Sequence, residues 1–296
     1  MEQNMKKALD GKIAIITGGG RGLGRAIALG YAEAGASGIV ITAARNPHQI
    51  ETVSEEINSI AGRKIGIPVT ADVTNLDACR DVAETTFNSF GRIDVLVNNA
   101  GLGQGMMADH RVKFYEGNPK GWTAIIDTNI NGPFFMARAV IQQMLKQRSG
   151  RILNVTKSRS SMYRPNESPY GPSKAALEAM TLCWGQDLLD SGVTVNSIAP
   201  GGAVETEFVL PAVRAAAKQT GKSYLPADVI VPPAIWLASD KAGEITGCRF
   251  IGSKWDCNLP TDEAAEASRE QAIFLPPERD GILEKTWEPG KGYKKT

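Results

Sequence analysis

With 296 residues, 33 basic and 32 acidic side chains and a formal charge of +1, the chain carries no field that would draw it to nucleic acid or an anionic membrane. No apolar run approaches the roughly 18 residues that span a bilayer, and the polar stretch Met1 to Asp10 lacks the core of a signal peptide. The expectation is a cytoplasmic protein with a small-molecule partner, no nucleic acid and no membrane. Cys79, Cys183, Cys248 and Cys257 are scattered without CxxC spacing, and His48 and His110 stand alone. That argues against a disulfide framework or a metal site and for buried or inert thiols.

Residues 1–11 read as a frayed leader. Ile13 to Gly24 is a short apolar run ending in five glycines within seven residues, the pattern of a buried strand that runs into a phosphate-binding turn. Ile27, Tyr31 and Ala34 then fall at helical spacing, with Gly35 as the stop. The unit repeats. Gly38 to Ala43 is a second strand, Ile50, Val53, Ile57 and Ile60 mark a second helix closed by Gly62, Lys64 to Val69 is a third strand, Asn75 to Phe90 a third helix and Ile93 to Asn98 a fourth strand. Helices over Phe134 to Gln147 and about Tyr170 to Asp190, and strands over Arg151 to Val155 and Val193 to Ile198, keep the rhythm.

Alternation of this kind, with strands dense in Val and Ile, predicts an α/β fold of the doubly wound type, a parallel sheet with helices on both faces. Ligands then sit beyond the carboxyl ends of the strands. Residues 206–226 interrupt the rhythm with an Ala-rich piece that reads as a lid or a surface helix, and residues 255–296, rich in Pro and charge, read as a C-terminal extension to a domain over residues 1–254. The extension is expected to be ordered only where it packs on its own core or on a neighbouring subunit.

Four motifs follow strands in order: Thr17-Gly-x-x-x-Gly-x-Gly24, Asn98-Asn-Ala-Gly101, Asp127-Thr-Asn129 and Tyr170-Gly-Pro-Ser-Lys174. Each alone is weak, and a glycine-rich turn fits any α/β protein. Tyr170 and Lys174, four residues apart, share one helix face, so an ammonium can lie near a phenol and favour its ionised form. In this combination the chain resembles the short-chain dehydrogenase/reductase family over about residues 10–252, in its 3-oxoacyl-ACP-reductase-like and glucose-dehydrogenase-like branch.

The resemblance implies a Rossmann-type seven-stranded parallel sheet and an NAD(P)-dependent oxidoreductase that interconverts a secondary alcohol and a ketone. It implies Tyr170 as acid/base, Lys174 as the group that lowers its pKa and holds the nicotinamide ribose, and Asn129 as the holder of a relay water. Thr17, Gly18, Gly20, Arg21, Gly22, Leu23 and Gly24 form the phosphate turn. Asn98 steadies the sheet edge and the adenosine ribose, Asp72, beside Val73, meets the adenine, and Asn99, Ala100 and Gly101 pass along the cofactor. Pro200, Gly201, Val204 and Thr206 lie beside the nicotinamide. Asp72 reads equally well as a turn aspartate. A homotetramer or homodimer through the helices of Asn129 and Tyr170 is implied as well.

The family's carbonyl-orienting serine lies thirteen residues before the tyrosine, where this chain has Lys157. Ser158 is the expected substitute, with Thr156 and Lys157 as alternatives. Loss of turnover would leave a cofactor-binding sensor or scaffold, and a lyase or epimerase is a remoter reading. The second strand ends Thr42-Ala-Ala-Arg45 without the carboxylate of NAD-binding sites; together with Arg21, Arg45 favours NADP over NAD. Met106, Met107, Met162, Tyr163, Phe208 and Val209 are expected to give the substrate pocket an apolar side, and Arg159 and Arg164 to be able to receive a carboxylate.

Overall fold

A computed structural model of the chain describes residues 5–206 and 223–270, with isolated positions outside those spans. Its centre is strand β1 (Ile13–Thr17), buried at every position because both faces of the sheet are covered. β1 pairs in parallel with β2 (Gly38–Ala43) on one side and β4 (Val95–Asn98) on the other, with Ala14 opposite Ile39 and Val95. β3 (Gly66–Thr70), β5 (Gly150–Val155), β6 (Val193–Ala199) and β7 (Arg249–Ile251) extend the sheet in the order β3-β2-β1-β4-β5-β6-β7. The direction of winding reverses between β1 and β4, and a crevice opens there.

Successive strand residues face opposite layers. Ile16 and Ile41 pack with Ile27 and Tyr31 of helix α1 (Gly22–Glu33), with Ile50 and Ile57 of α2 (Pro47–Ala61) and, further along the sheet, with the layer's late apolar helix. Ile15, Val40 and Leu96 pack on the other side with Val82 of α3 (Leu76–Phe90) and Val140 of α5 (Gly132–Gln147). Local signals set the helix ends. The Asn75 side chain accepts from the amides of Asp77 at 2.9 Å and Ala78 at 3.1 Å, and Gly62 ends α2 at a φ of +65° that favours glycine.

Three expectations change. An eighth strand, β8 (Arg269–Glu270), joins the sheet antiparallel to β7, with Glu270 opposite Arg249. The short helix before it turns the chain back along the open edge. Residues 255–270 of the expected extension are thus built onto the domain. The start of the chain is also packed: Leu9 is fully buried, Met5 nearly so, and the Leu9 amide donates to the Ala34 carbonyl at 3.0 Å. Finally, Cys183 and Cys257 are exposed, whereas Cys79 and Cys248 are buried, and burial pushes the Cys79 thiol up to about 12.

Candidate active site

At the carboxyl ends of β1 and β4 a cleft of about 1350 Å³ runs from the glycine turn to the start of helix α7 (Tyr170–Asp187). Of the expected site residues, Gly18, Gly20, Arg21, Gly22, Leu23, Arg45, Asp72, Val73, Asn99, Ala100, Gly101, Ser158, Tyr170, Lys174, Pro200, Gly201, Val204 and Thr206 line it. Thr17, Gly24 and Asn129 stand behind the wall and shape it.

The turn is built from behind. The Thr17 hydroxyl donates to the Val97 carbonyl at 3.2 Å and accepts from the amides of Asn99 and Ala100, both at 3.0 Å. The Asn99 side chain donates to the carbonyls of Thr17 at 2.9 Å and Gly18 at 3.0 Å. Gly24 has no room for a methyl group, since a Cβ there would collide with the Gly18 carbonyl and the Asn99 side chain. Gly18 and Gly22 take φ values of +65° and +55°, which lets the turn pass into α1 with little side-chain bulk toward the cleft. The bonds that steady this corner come from Asn99. Asn98 points along the sheet instead and donates to Asn154 at 2.9 Å, because alternate strand residues face opposite ways.

Asp72 forms a turn, its Oδ1 accepting from the amide of Thr74 at 2.9 Å and its hydroxyl at 2.8 Å, while the residue also lines the cleft. After β2, Ala44 and Arg45 are exposed, and Arg21 is exposed on the glycine turn. The adenosine end therefore offers two guanidiniums in a cleft wide enough for a dinucleotide. These residues fit a bound nicotinamide dinucleotide, with a small-residue turn at a helix N-terminus for the pyrophosphate.

At the other end, helix α4 (Pro119–Ile126) runs into α5 through a widened π turn, Asp127–Asn131, a local geometry common at functional sites. It buries Asn129 completely. Asn129 clamps the main chain of Leu102, accepting from its amide at 2.8 Å and donating to its carbonyl at 2.9 Å, and also donates to the Ser173 hydroxyl at 3.0 Å. A methyl group on Gly101 would lie 3.3 Å from the Asn129 oxygen and 3.7 Å from the Lys174 ammonium, so the three residues meet.

Lys174 is buried and donates to the Val155 carbonyl at 2.9 Å. Burial, helped by the Lys157 charge, pushes it down to about 8. Tyr170 lies one helical turn earlier on the same face. Its phenol is held above its ordinary value, first by burial and then by the Glu167 carboxylate. That direction is opposite to the one expected from Lys174 alone, because desolvation disfavours the phenolate.

Thr156, Lys157 and Ser158 all belong to the lining of the cleft, and their partners differ. Thr156 is turned inward, its hydroxyl donating to buried Glu178 at 2.5 Å. Ser158 lines the cleft at the N-terminus of helix α6 (Arg159–Met162). Lys157 also lines it, with its ammonium 4.3 Å from the Tyr170 ring centre and bonded to Glu167 at 2.8 Å. Arg111 holds the other oxygen of that carboxylate at 2.5 Å. Arg111 and Glu167 were not legible as site residues; the only signal for Glu167 was an acidic residue three positions before Tyr170.

Most of the expected apolar lining is elsewhere. Met107 and Met162 are buried, Tyr163 is 76% exposed, and Met106 packs in the small cluster around Met107. Of that set Val209 lines the cleft, while Phe208 and most of the expected lid lie outside the described residues. Arg164 lines the cleft and Arg159 does not.

Comparison with known proteins agrees with this geometry. Residues 12–216 match the family model described as short chain dehydrogenase. A 3-oxoacyl-[acyl-carrier-protein] reductase of Synechocystis sp. is 38% identical over 66% of this chain and 75% of its own length. One from Thermotoga maritima is 32% identical over 81% of this chain and 95% of its own. Glucose 1-dehydrogenase 2 of Bacillus subtilis is 29% identical over 83% and 95%. A crystal structure of a putative short-chain alcohol dehydrogenase from Sinorhizobium meliloti superposes with a TM-score of 0.73 at 29% identity, over 82% of this chain and 95% of that one. With the glycine turn, the Asn99 corner and the Tyr170 and Lys174 face in one cleft, the chain belongs to the short chain dehydrogenase family.

Proposed function

We propose that this oxidoreductase, which interconverts a secondary alcohol and a ketone, works with NADP, with Tyr170 as its acid/base and Ser158 as the hydroxyl that holds the carbonyl oxygen. The observation that carries the reading is the convergence of Ser158, Tyr170 and Lys174 on one end of a cleft whose other end is the glycine turn with Arg21 and Arg45. A bound nicotinamide would supply or accept the hydride. The chain's own residues do the rest.

In the reducing direction Tyr170, kept protonated by burial, gives its proton to the oxygen as charge develops there. Ser158 donates a hydrogen bond to the same oxygen. Lys174 sits one turn below and would hold the ribose hydroxyls, and Asn129 fixes the Leu102 main chain beside it. Arg21 and Arg45 would hold a 2′-phosphate, and Thr17, Gly18, Gly20, Gly22, Leu23, Gly24, Asp72, Val73, Asn99, Ala100, Gly101, Pro200, Gly201, Val204 and Thr206 would shape or line the cofactor channel. The domain reading is one catalytic unit over residues 1–254 carrying an extension.

We further propose a cytoplasmic homodimer or homotetramer joined through α4, α5 and α7, supported by the exposed Trp122 and Phe134 on the first two. No helix among the described residues is long and apolar enough to cross a membrane.

Titration of the purified protein with NADPH and NADH, followed by nicotinamide absorbance over a panel of ketones and alcohols, tests the reading. Tighter NADPH binding and turnover that falls about a hundred- to ten-thousandfold in Tyr170→Phe are expected. Binding without turnover on any carbonyl would overturn it.

A further inference from the structure

The substrate end of the cleft carries more charge than alcohol–ketone chemistry requires. Lys157, Arg111, Arg164 and Glu167 all line the cleft, as do Lys174 and Glu205. Glu167 is buried and paired at both oxygens: Lys157 holds one at 2.8 Å and Arg111 the other at 2.5 Å. One carboxylate is thus shared by two cations. Arg111 uses one of its guanidinium nitrogens in that pair, and Arg164 makes no ion pair among the described residues. Counting all six groups in their charged forms, four cations face two anions at this end.

The charge also stands close to the reacting centre. The Lys157 ammonium lies 4.3 Å from the Tyr170 ring centre. A neutral ketone makes no use of this excess, whereas an anion on the substrate would complete it. Arginine suits the task, because its planar fork matches a carboxylate.

We propose that the substrate pair is an oxo acid and its hydroxy acid, with the carboxylate a few bonds from the carbonyl and seated against Arg164 and Arg111 beside Lys157. The proposal rests on the reductase reading above and names the substrate class of that same site. In the reducing direction the carbonyl carbon gains a hydride from NADPH and the oxygen gains the Tyr170 proton. The products are the hydroxy acid and NADP⁺, and the carboxylate passes through unchanged.

The test uses the full chain with NADPH and a homologous series of straight-chain oxo acids, each measured beside its methyl ester. The acid is expected to exceed its ester in kcat/KM by about tenfold or more, the scale of one charge-assisted contact. That preference should shrink with added salt. In Arg164→Gln the acid-over-ester ratio should fall about tenfold, mainly through KM for the acid. A variant that is merely less well folded lowers both rates and keeps the ratio. Esters or neutral ketones reduced as well as the acids, or a ratio unmoved by the variant and by salt, would overturn the proposal and leave the reductase reading standing. Bound NADPH with no turnover of acid, ester or ketone would defeat that reading and the proposal together.

Discussion

Arg249 donates from Nη2 to the carbonyl oxygen of Lys157 at 2.7 Å, so a residue of the last parallel strand holds the backbone of the loop that carries Ser158. Its other nitrogens reach buried Glu178, the Thr156 hydroxyl at 3.3 Å and Glu270 of β8 at 3.2 Å. Arg249 and Glu178 are 1% and 3% exposed, and Glu178 also accepts from the Ser197 hydroxyl at 2.9 Å. Removing one partner strands the other charge in the core. Arg249→Met is expected to cost about 3–5 kcal/mol, read by urea denaturation, and Arg249→Met with Glu178→Gln should recover much of that loss. The reduction rate should stay low in both variants, because neither restores the donor to the Lys157 carbonyl. Recovery of rate together with stability would show that the network serves folding alone.

Cofactor choice is expected to follow Arg45. The turn after β2 carries Ala44 and Arg45 and no carboxylate, and both face solvent at the cleft edge. Arg45→Ala should weaken NADPH binding about tenfold, one charge-assisted contact, while NADH binding changes by less than about twofold. Fluorescence titration with both nucleotides measures this. Equal losses for the two would mean that Arg45 supports the turn and does not read a phosphate.

The pH dependence follows from Lys174. Its pKa is lowered to about 8, so the ammonium is lost as pH rises through about 8, well before the ordinary lysine range. Tyr170 is shifted upward and stays protonated across that interval. Ketone reduction at saturating NADPH should therefore decline above about pH 8. Lys174→Arg keeps its cation at all these pH values, so any activity it retains should lack that limb. A limb that persists in this variant would belong to another group.

Much of the fold was legible because the strands announce themselves. Ile13–Thr17 and Val95–Asn98 are apolar on both faces, and Asn75, Gly35 and Gly62 punctuate the helices as their chemistry requires. The helix Val231–Ala238, here α8, was not legible. Every one of its residues except Pro232 is buried, so it shows no amphipathic period, and two prolines sit in its first turn. The cleft residues were readable where a motif fixes them, as with Tyr170 and Lys174. Arg111 and Glu167 lie on loops whose course depends on packing, so the Lys157 cluster emerged only in three dimensions.

The last helix among the described residues, α9 (Thr261–Ser268), was hidden for a different reason. Its inner face is Thr261, Ala264, Ala265 and Ser268, all buried, while Asp262, Glu263, Glu266 and Ala267 face out. Small residues give no strong hydrophobic stripe, yet they let the helix pack closely over the core. Ala265 is 1% exposed and belongs to the main cluster that includes Trp236 and Phe250. Asp262 accepts from the Trp236 indole at 2.8 Å and fixes the approach. If this helix is part of the catalytic domain's core, a charge at Ala265 has nowhere to go. Ala265→Asp should cost about 3 kcal/mol, from burial of an unpaired polar group, and lower Tm by roughly 6–12 °C. Ala267→Asp, two residues along on the exposed face, should stay within about 0.5 kcal/mol. Thermal unfolding of the pair decides it, and equal melting points would mean that α9 lies against the domain without contributing to its stability.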